Sequence, residues 1–229
     1  EHFGVWTLLK SIPAWSSYAH LGSRTAMRFL LPAYVARGET ARAADAVDTV
    51  FAGAFTLNLL VVAGLAVAAA LPWFEPDVRT GLGFVAVIVA LQFLQEFHIS
   101  LLRSREQFAA VTRVYYVEST AVFLLTYPLL AYAGLTGLYL TVIAGHAAVL
   151  AWLVSRHPLG IRFRFDGALF REFVRQGFPA LATNLVLLGI ATADRFVVAS
   201  LLSKEELGYY GIAILLVGLL SNVPGAARE

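Results

Sequence analysis

Residues 47–71, 81–102, 114–133, 137–154 and 177–202 are each apolar over about the length that the hydrocarbon core of a bilayer requires. Lipid offers no hydrogen bonds to the backbone, so only helices or closed barrels can span it. These blocks are rich in Leu, Ala and Val and do not alternate, which excludes barrel strands. The fold class that follows is all-α: a polytopic transmembrane helix bundle. Two further stretches, about 5–31 and 208–224, bring the predicted count to seven spans. Composition agrees, because 14% of the 229 residues are charged, where a soluble domain carries roughly 25%. Mean hydropathy is +0.73.

The loops carry the orientation signal. Arg28, Arg37 and Arg42 flank the first loop, Arg103, Arg105 and Arg113 the third, and Arg156, Arg162, Arg164, Arg171 and Arg175 the fifth. The alternate loops are poor in cations: 72–80 holds Arg79 beside Glu75 and Asp77, 133–137 has no charge, and 203–207 holds Lys204 beside Glu205 and Glu206. By the positive-inside rule the arginine-rich loops are cytoplasmic, with residue 1 outside and residue 229 inside a plasma membrane. Pro72-Trp73-Phe74-Glu75-Pro76 reads as an interfacial turn. Phe170-Arg171-Glu172-Phe173-Val174-Arg175 reads as a short surface helix that enters the next span at Gly177.

Several chemistries are excluded. There is no Cys, so disulfides, thiolate metal sites and thiol catalysis are out. No phosphate-binding loop of the Gly-x-x-x-x-Gly-Lys-Ser/Thr form occurs, so ATP hydrolysis is unsupported. No metal-ligand cluster, cofactor motif or nucleophile elbow is present. A net charge of +2 with arginines at helix ends does not suit nucleic acid. The chain starts without Met and lacks the basic start of a signal peptide, which predicts a segment of a longer protein. Glu206-Leu207-Gly208-Tyr209-Tyr210 echoes Glu1-His2-Phe3-Gly4-Val5-Trp6, each before an apolar helix. That is the pattern of an internal repeat, a common transporter plan.

Gly177-Phe178-Pro179-Ala180-Leu181, Ala193-Asp194-Arg195-Phe196 and Glu205-Glu206-Leu207-Gly208-Tyr209-Tyr210 resemble the start of the second half of Wzx-type polysaccharide flippases. Phe3-Gly4 and Leu21-Gly22-Ser23-Arg24-Thr25-Ala26-Met27-Arg28 resemble the second helix of the first half. The turn Pro32-Ala33-Tyr34 before a basic loop is similar to the lipid II flippase MurJ, of the superfamily that also holds MATE exporters. The resemblance implies part of a two-repeat MATE-like fold, with 1–160 as helices two to six of the first half and 161–229 as the start of the second. It implies a flippase that moves a polyprenyl-pyrophosphate-linked saccharide by alternating access, with membrane lipids and a coupling cation or proton as partners. The alternatives are a MATE-like cation or drug antiporter and a membrane glycosyltransferase or ligase.

Ionisable residues within the membrane point to a pathway or to a mutual pair. On one continuous first helix, Lys10, Ser17, Arg24 and Arg28 would fall within roughly 40° of one another. Such a cationic stripe suits a pyrophosphate, whose oxygens Arg can clamp bidentately. Asp194 is expected to face the interior, towards a cation or Arg24. Glu96, His98 and Glu118 read as a proton or cation relay, or Glu96 and Glu118 as interhelical pairs with Arg28, Arg103 or Arg113. His146 reads as a hydrogen-bonded packing residue.

Overall fold

The computed structural model describes residues 2–201, 203, 206, 209–214 and 217. The described residues form eight helices in chain order and no strand: α1 (His2–Leu9), α2 (Ser11–Ser16), α3 (Ser23–Ala36), α4 (Thr40–Ala70), α5 (Pro76–Ser104), α6 (Phe108–Ala133), α7 (Thr136–Arg156) and α8 (Gly167–Leu201). Each of the last five is long and apolar enough to cross a membrane. Most of the predicted seventh span lies outside the described residues, as does the Gly208 of the proposed repeat. Residues 209–214 are helical, and Gly211 comes up against Thr7 of α1.

The first predicted span is not one helix. Pro13 lies within α2, and Ser11 and Ser17 turn their hydroxyls back on the Leu8 and Ala14 carbonyls at 2.6 and 2.8 Å. Leu21 and Gly22 then take φ of +52° and +88°, a left-handed step that ends helical propagation and strains Leu21. The chain re-enters a helix at Ser23. The break is wired locally: the Gly22 N–H donates to His20 Nδ1 at 2.9 Å, and the Ser23 hydroxyl donates to the His20 carbonyl at 2.7 Å. Backbone freed within a bundle is tolerated where such partners exist. α3 also runs through Pro32 to Ala36, so the turn expected at Pro32-Ala33-Tyr34 is helical.

α8 departs from expectation in the other direction. No separate surface helix precedes Gly177, because Gly167–Leu201 is continuous across Pro179. Asp166 caps it, accepting from the Ala168 and Leu169 N–H groups at 2.8 and 3.1 Å. At 35 residues it is about 50 Å long, against a hydrocarbon core of about 30 Å. It is longer than an upright span requires.

The connections are fixed by specific contacts. Pro76 opens α5 at its first turn, and Arg79 donates to the Ala69 and Ala70 carbonyls at 3.0 and 3.4 Å, closing the end of α4. The linker 157–166 lies on α4: the Arg162 N–H donates to Asp48 at 2.9 Å, and Arg164 lies 3.6 Å from Asp45. Phe163 joins the ring cluster of Phe51 and Phe55 at centroid distances of 6.5 and 6.0 Å. Past α8, Ser203 and Glu206 form a capping box. The Ser203 N–H and hydroxyl each donate to Glu206 at 2.8 Å, holding its carboxyl below its usual range, and the Glu206 N–H donates to the Ser203 hydroxyl at 3.3 Å.

α5 is the central element and enters three apolar clusters. With α3, α4 and α8 it buries Phe93 and Phe97 beside Met27, Val50 and Phe173. With α1 and α7 it buries Val85 and Val89 beside Leu9 and Tyr139. With α6 and α7 it buries Ile99 and Leu102 beside Val114 and Leu153. α3 and α8 cross backbone to backbone, since a Cβ on Gly177 would collide with the Gly22 carbonyl oxygen.

A cationic cleft beside a broken helix

The break between α2 and α3 lies near the middle of the long helices. A small cavity beside it touches Ala54 and Asn58 of α4 and Val89 and Gln92 of α5. It has about 10 Å³ of room and a partly polar wall of Ser17, His20, Arg24, Asn58, Gln92 and Glu96, close to what one water needs.

A wider cleft of about 340 Å³ opens on the other side of Arg24. The break supplies Ser17, Tyr18 and His20. α3 supplies Arg24, Thr25 and Arg28, and α5 supplies Glu96, Ile99, Ser100 and Arg103. Tyr115 comes from α6 and Asn184 from α8. Three arginines face one glutamate, so the lining is cationic. Arg24 and Arg28 share a face of α3 because they are four residues apart, and Glu96, Ser100 and Arg103 share a face of α5 at spacings of four and three.

The three arginines differ. Arg24 is 8% exposed, makes an ion pair with Glu96 and donates to the Ser17 carbonyl at 3.3 Å. Glu96 also accepts from Gln92 at 2.7 Å. Arg103 donates to the Tyr115 hydroxyl at 2.8 Å. Arg28 is exposed to the cleft and makes no hydrogen bond or ion pair among the described residues.

The stripe expected on one helix is thus assembled differently. The break destroys its phase, and Lys10 sits at the joint of α1 and α2, outside the cleft lining. Arg24 and Arg28 keep their relation only because both fall within α3. Asp194 is exposed and accepts a hydrogen bond of 2.5 Å from the Tyr210 hydroxyl. It is not brought to Arg24.

Glu96, His98 and Glu118 do not gather. Glu96 belongs to the cleft. His98 donates from Nδ1 to the Leu94 carbonyl at 2.8 Å, and its buried Nε2 has no partner. Glu118 enters a three-helix cluster instead: Gln95 Nε2 of α5 donates to Glu118 of α6 at 2.8 Å, His146 Nδ1 of α7 donates to Gln95 Oε1 at 2.6 Å, and His146 lies 3.6 Å from Glu118. The partners expected for the two glutamates, Arg28, Arg103 and Arg113, are not the ones used. Sequence reasoning missed the amides Asn58, Gln92, Gln95 and Asn184. An amide within an apolar helix is itself a signal, and Gln92, Gln95 and Glu96 within five residues are the strongest case.

Helices of spanning length, a discontinuous helix at mid-depth and a polar cleft among them define a polytopic membrane protein with an internal hydrophilic site. Residues 36–226 match the family model described as polysaccharide biosynthesis protein, and the chain belongs to that family. No curated protein and no solved structure matches it. Its place is among the membrane proteins of polysaccharide assembly.

Proposed function

We propose that the chain is part of a flippase that carries polyprenyl-pyrophosphate-linked saccharides across the plasma membrane by alternating access, with residue 1 outside and residue 229 in the cytoplasm. One observation carries this reading: a cleft lined by Arg24, Arg28 and Arg103 that opens beside a helix break within the bundle. A cation kept in a greasy bundle is costly, and a phosphate-bearing headgroup is a ligand that repays it. Arg28 is free to take phosphate oxygens. Arg103 can exchange its tyrosine for them, and Arg24, fixed by Glu96, sets the potential at the back of the site. Glu118 and His146 are the titratable pair best placed to couple transport to a proton or cation.

The reading predicts that Arg28→Ala with Arg103→Ala leaves insertion normal and lowers export of the lipid-linked saccharide at least tenfold. Each charge-assisted hydrogen bond lost is worth about 1.5–3 kcal/mol. Export is followed in cells that depend on this protein, with the lipid-linked precursor counted on each leaflet. Unchanged export by the double variant would remove the reading. Calorimetry that found binding of organic cations, and none of pyrophosphate lipids, would favour the antiporter.

A further inference from the structure

We propose that α8 is a lever whose fulcrum is Gly177, with a polar latch on one arm and the wall of the cationic cleft on the other. At the fulcrum no side chain separates α8 from the start of α3, because Gly177 and Gly22 meet backbone to backbone. At that point no side chains interlock, so it is where α8 can pivot with least displacement of its neighbours.

The latch lies about 7 Å along α8 from that point, on its N-terminal arm. Glu172 accepts from the Tyr34 hydroxyl of α3 at 3.2 Å and from Arg42 of α4 at 3.3 Å. Tyr34 is buried and has the Arg42 and Arg37 guanidinium groups over its ring, 4.8 and 5.2 Å from the centroid. Glu39 holds both arginines, at 2.8 Å from Arg37 and 3.5 Å from Arg42. One carboxylate of α8 is therefore tied to a compact group that belongs wholly to α3, α4 and their turn. Polar links of this kind exchange readily with water; beneath them Phe173 is buried against Tyr34, with ring centroids 6.4 Å apart.

The other arm reaches the cleft. Asn184, about 10 Å beyond Gly177, lines it opposite Arg24 and Glu96. Opening the latch tilts α8 about Gly177 and moves Asn184 in the opposite sense, which changes the width of the cleft. The lever rests on the cleft itself and not on what passes through it. Its test needs no substrate, so the failure of the transport reading and the failure of the lever are separate results.

The chain has no Cys, so spin labels can be placed in pairs without removing a native thiol. Ala41 with Arg171 reports the latch arm, Phe29 with Phe178 the fulcrum, and Val87 with Val186 the far arm. All six positions are exposed. Pulsed dipolar distances in bilayers are compared with and without Glu172→Gln plus Tyr34→Phe. The expected result is a lengthening of the latch pair by about 2 Å, which a tilt of about 15° gives on an arm of about 7 Å, a shift of opposite sense in the far-arm pair, and an unchanged fulcrum pair. Three pairs that move in the same sense, a latch pair that moves alone, or no movement would each overturn the lever. Arg42→Gln, which cuts the second tie to Glu172, replaces the double variant if that one fails to fold.

Discussion

Arg24 and Glu96 form the pair on which the site is built. Arg24 is held by one carboxylate and one carbonyl at the break, and Glu96 by one guanidinium and one amide. Removing one partner of a buried pair leaves the other charge stranded. Because the Glu96 side chain stays 28% exposed, Arg24→Ala should cost about 3 kcal/mol, the lower end of the range for breaking a buried pair. Arg24→Gln with Glu96→Gln should recover most of that loss. Chemical unfolding in detergent of the wild type, Arg24→Gln, Glu96→Gln and the double variant closes the cycle, and strictly additive losses would mean that the pair has no coupling energy. The importance of Arg24 was legible because a guanidinium in an apolar stretch demands a reason. Its partner was not, since nothing in one sequence says which of several distant carboxylates lies beside residue 24. The same holds for Glu118, whose partners Gln95 and His146 come from two other helices.

Helices α3 and α8 were read with the right residues and the wrong boundaries. Length and apolarity locate a span, but whether it is continuous depends on which partners its freed backbone finds. Around Leu21 and Gly22 those partners are His20, Ser23 and Arg24, all local, and the helix breaks. Around Pro179 the helix persists, so proline alone did not decide the outcome. Gly177 was noted as the entry to a span, while its actual role is to let α8 touch Gly22. Gly177→Ala should therefore separate α3 from α8. Its methyl would meet the Gly22 carbonyl, which is backbone and cannot swing away. The expected cost is at the level of overpacking, about 1–3 kcal/mol, read as a lower midpoint of thermal unfolding in detergent. Gly64→Ala, where a Cβ meets nothing within 4 Å, should not lower the midpoint in the same assay.

At the scale of the molecule, the helices divide into a centre and a rim. In its most apolar stretch α5 is 67% buried and α6 only 6%, and α6 presents Phe123 and Tyr127 at 80% exposure. Apolar and uncovered by the other described helices, that face of α6 suits lipid. Phe123→Arg should then disfavour membrane insertion of α6 by about 2.5–3.5 kcal/mol, measured as the inserted fraction in a translocon assay, whereas Phe123→Leu should insert normally. The all-helical class was fully legible, because lipid permits so few alternatives. The assignment of helices to centre and rim was not, since α5 and α6 are both apolar and differ only in what surrounds them. α5 packs against α1, α2, α3, α4, α6 and α7. A body so gripped on every flank cannot shift without tearing several seams at once. It is the mast of the molecule, and whatever travels, such as α8 on its glycine, must swing around it.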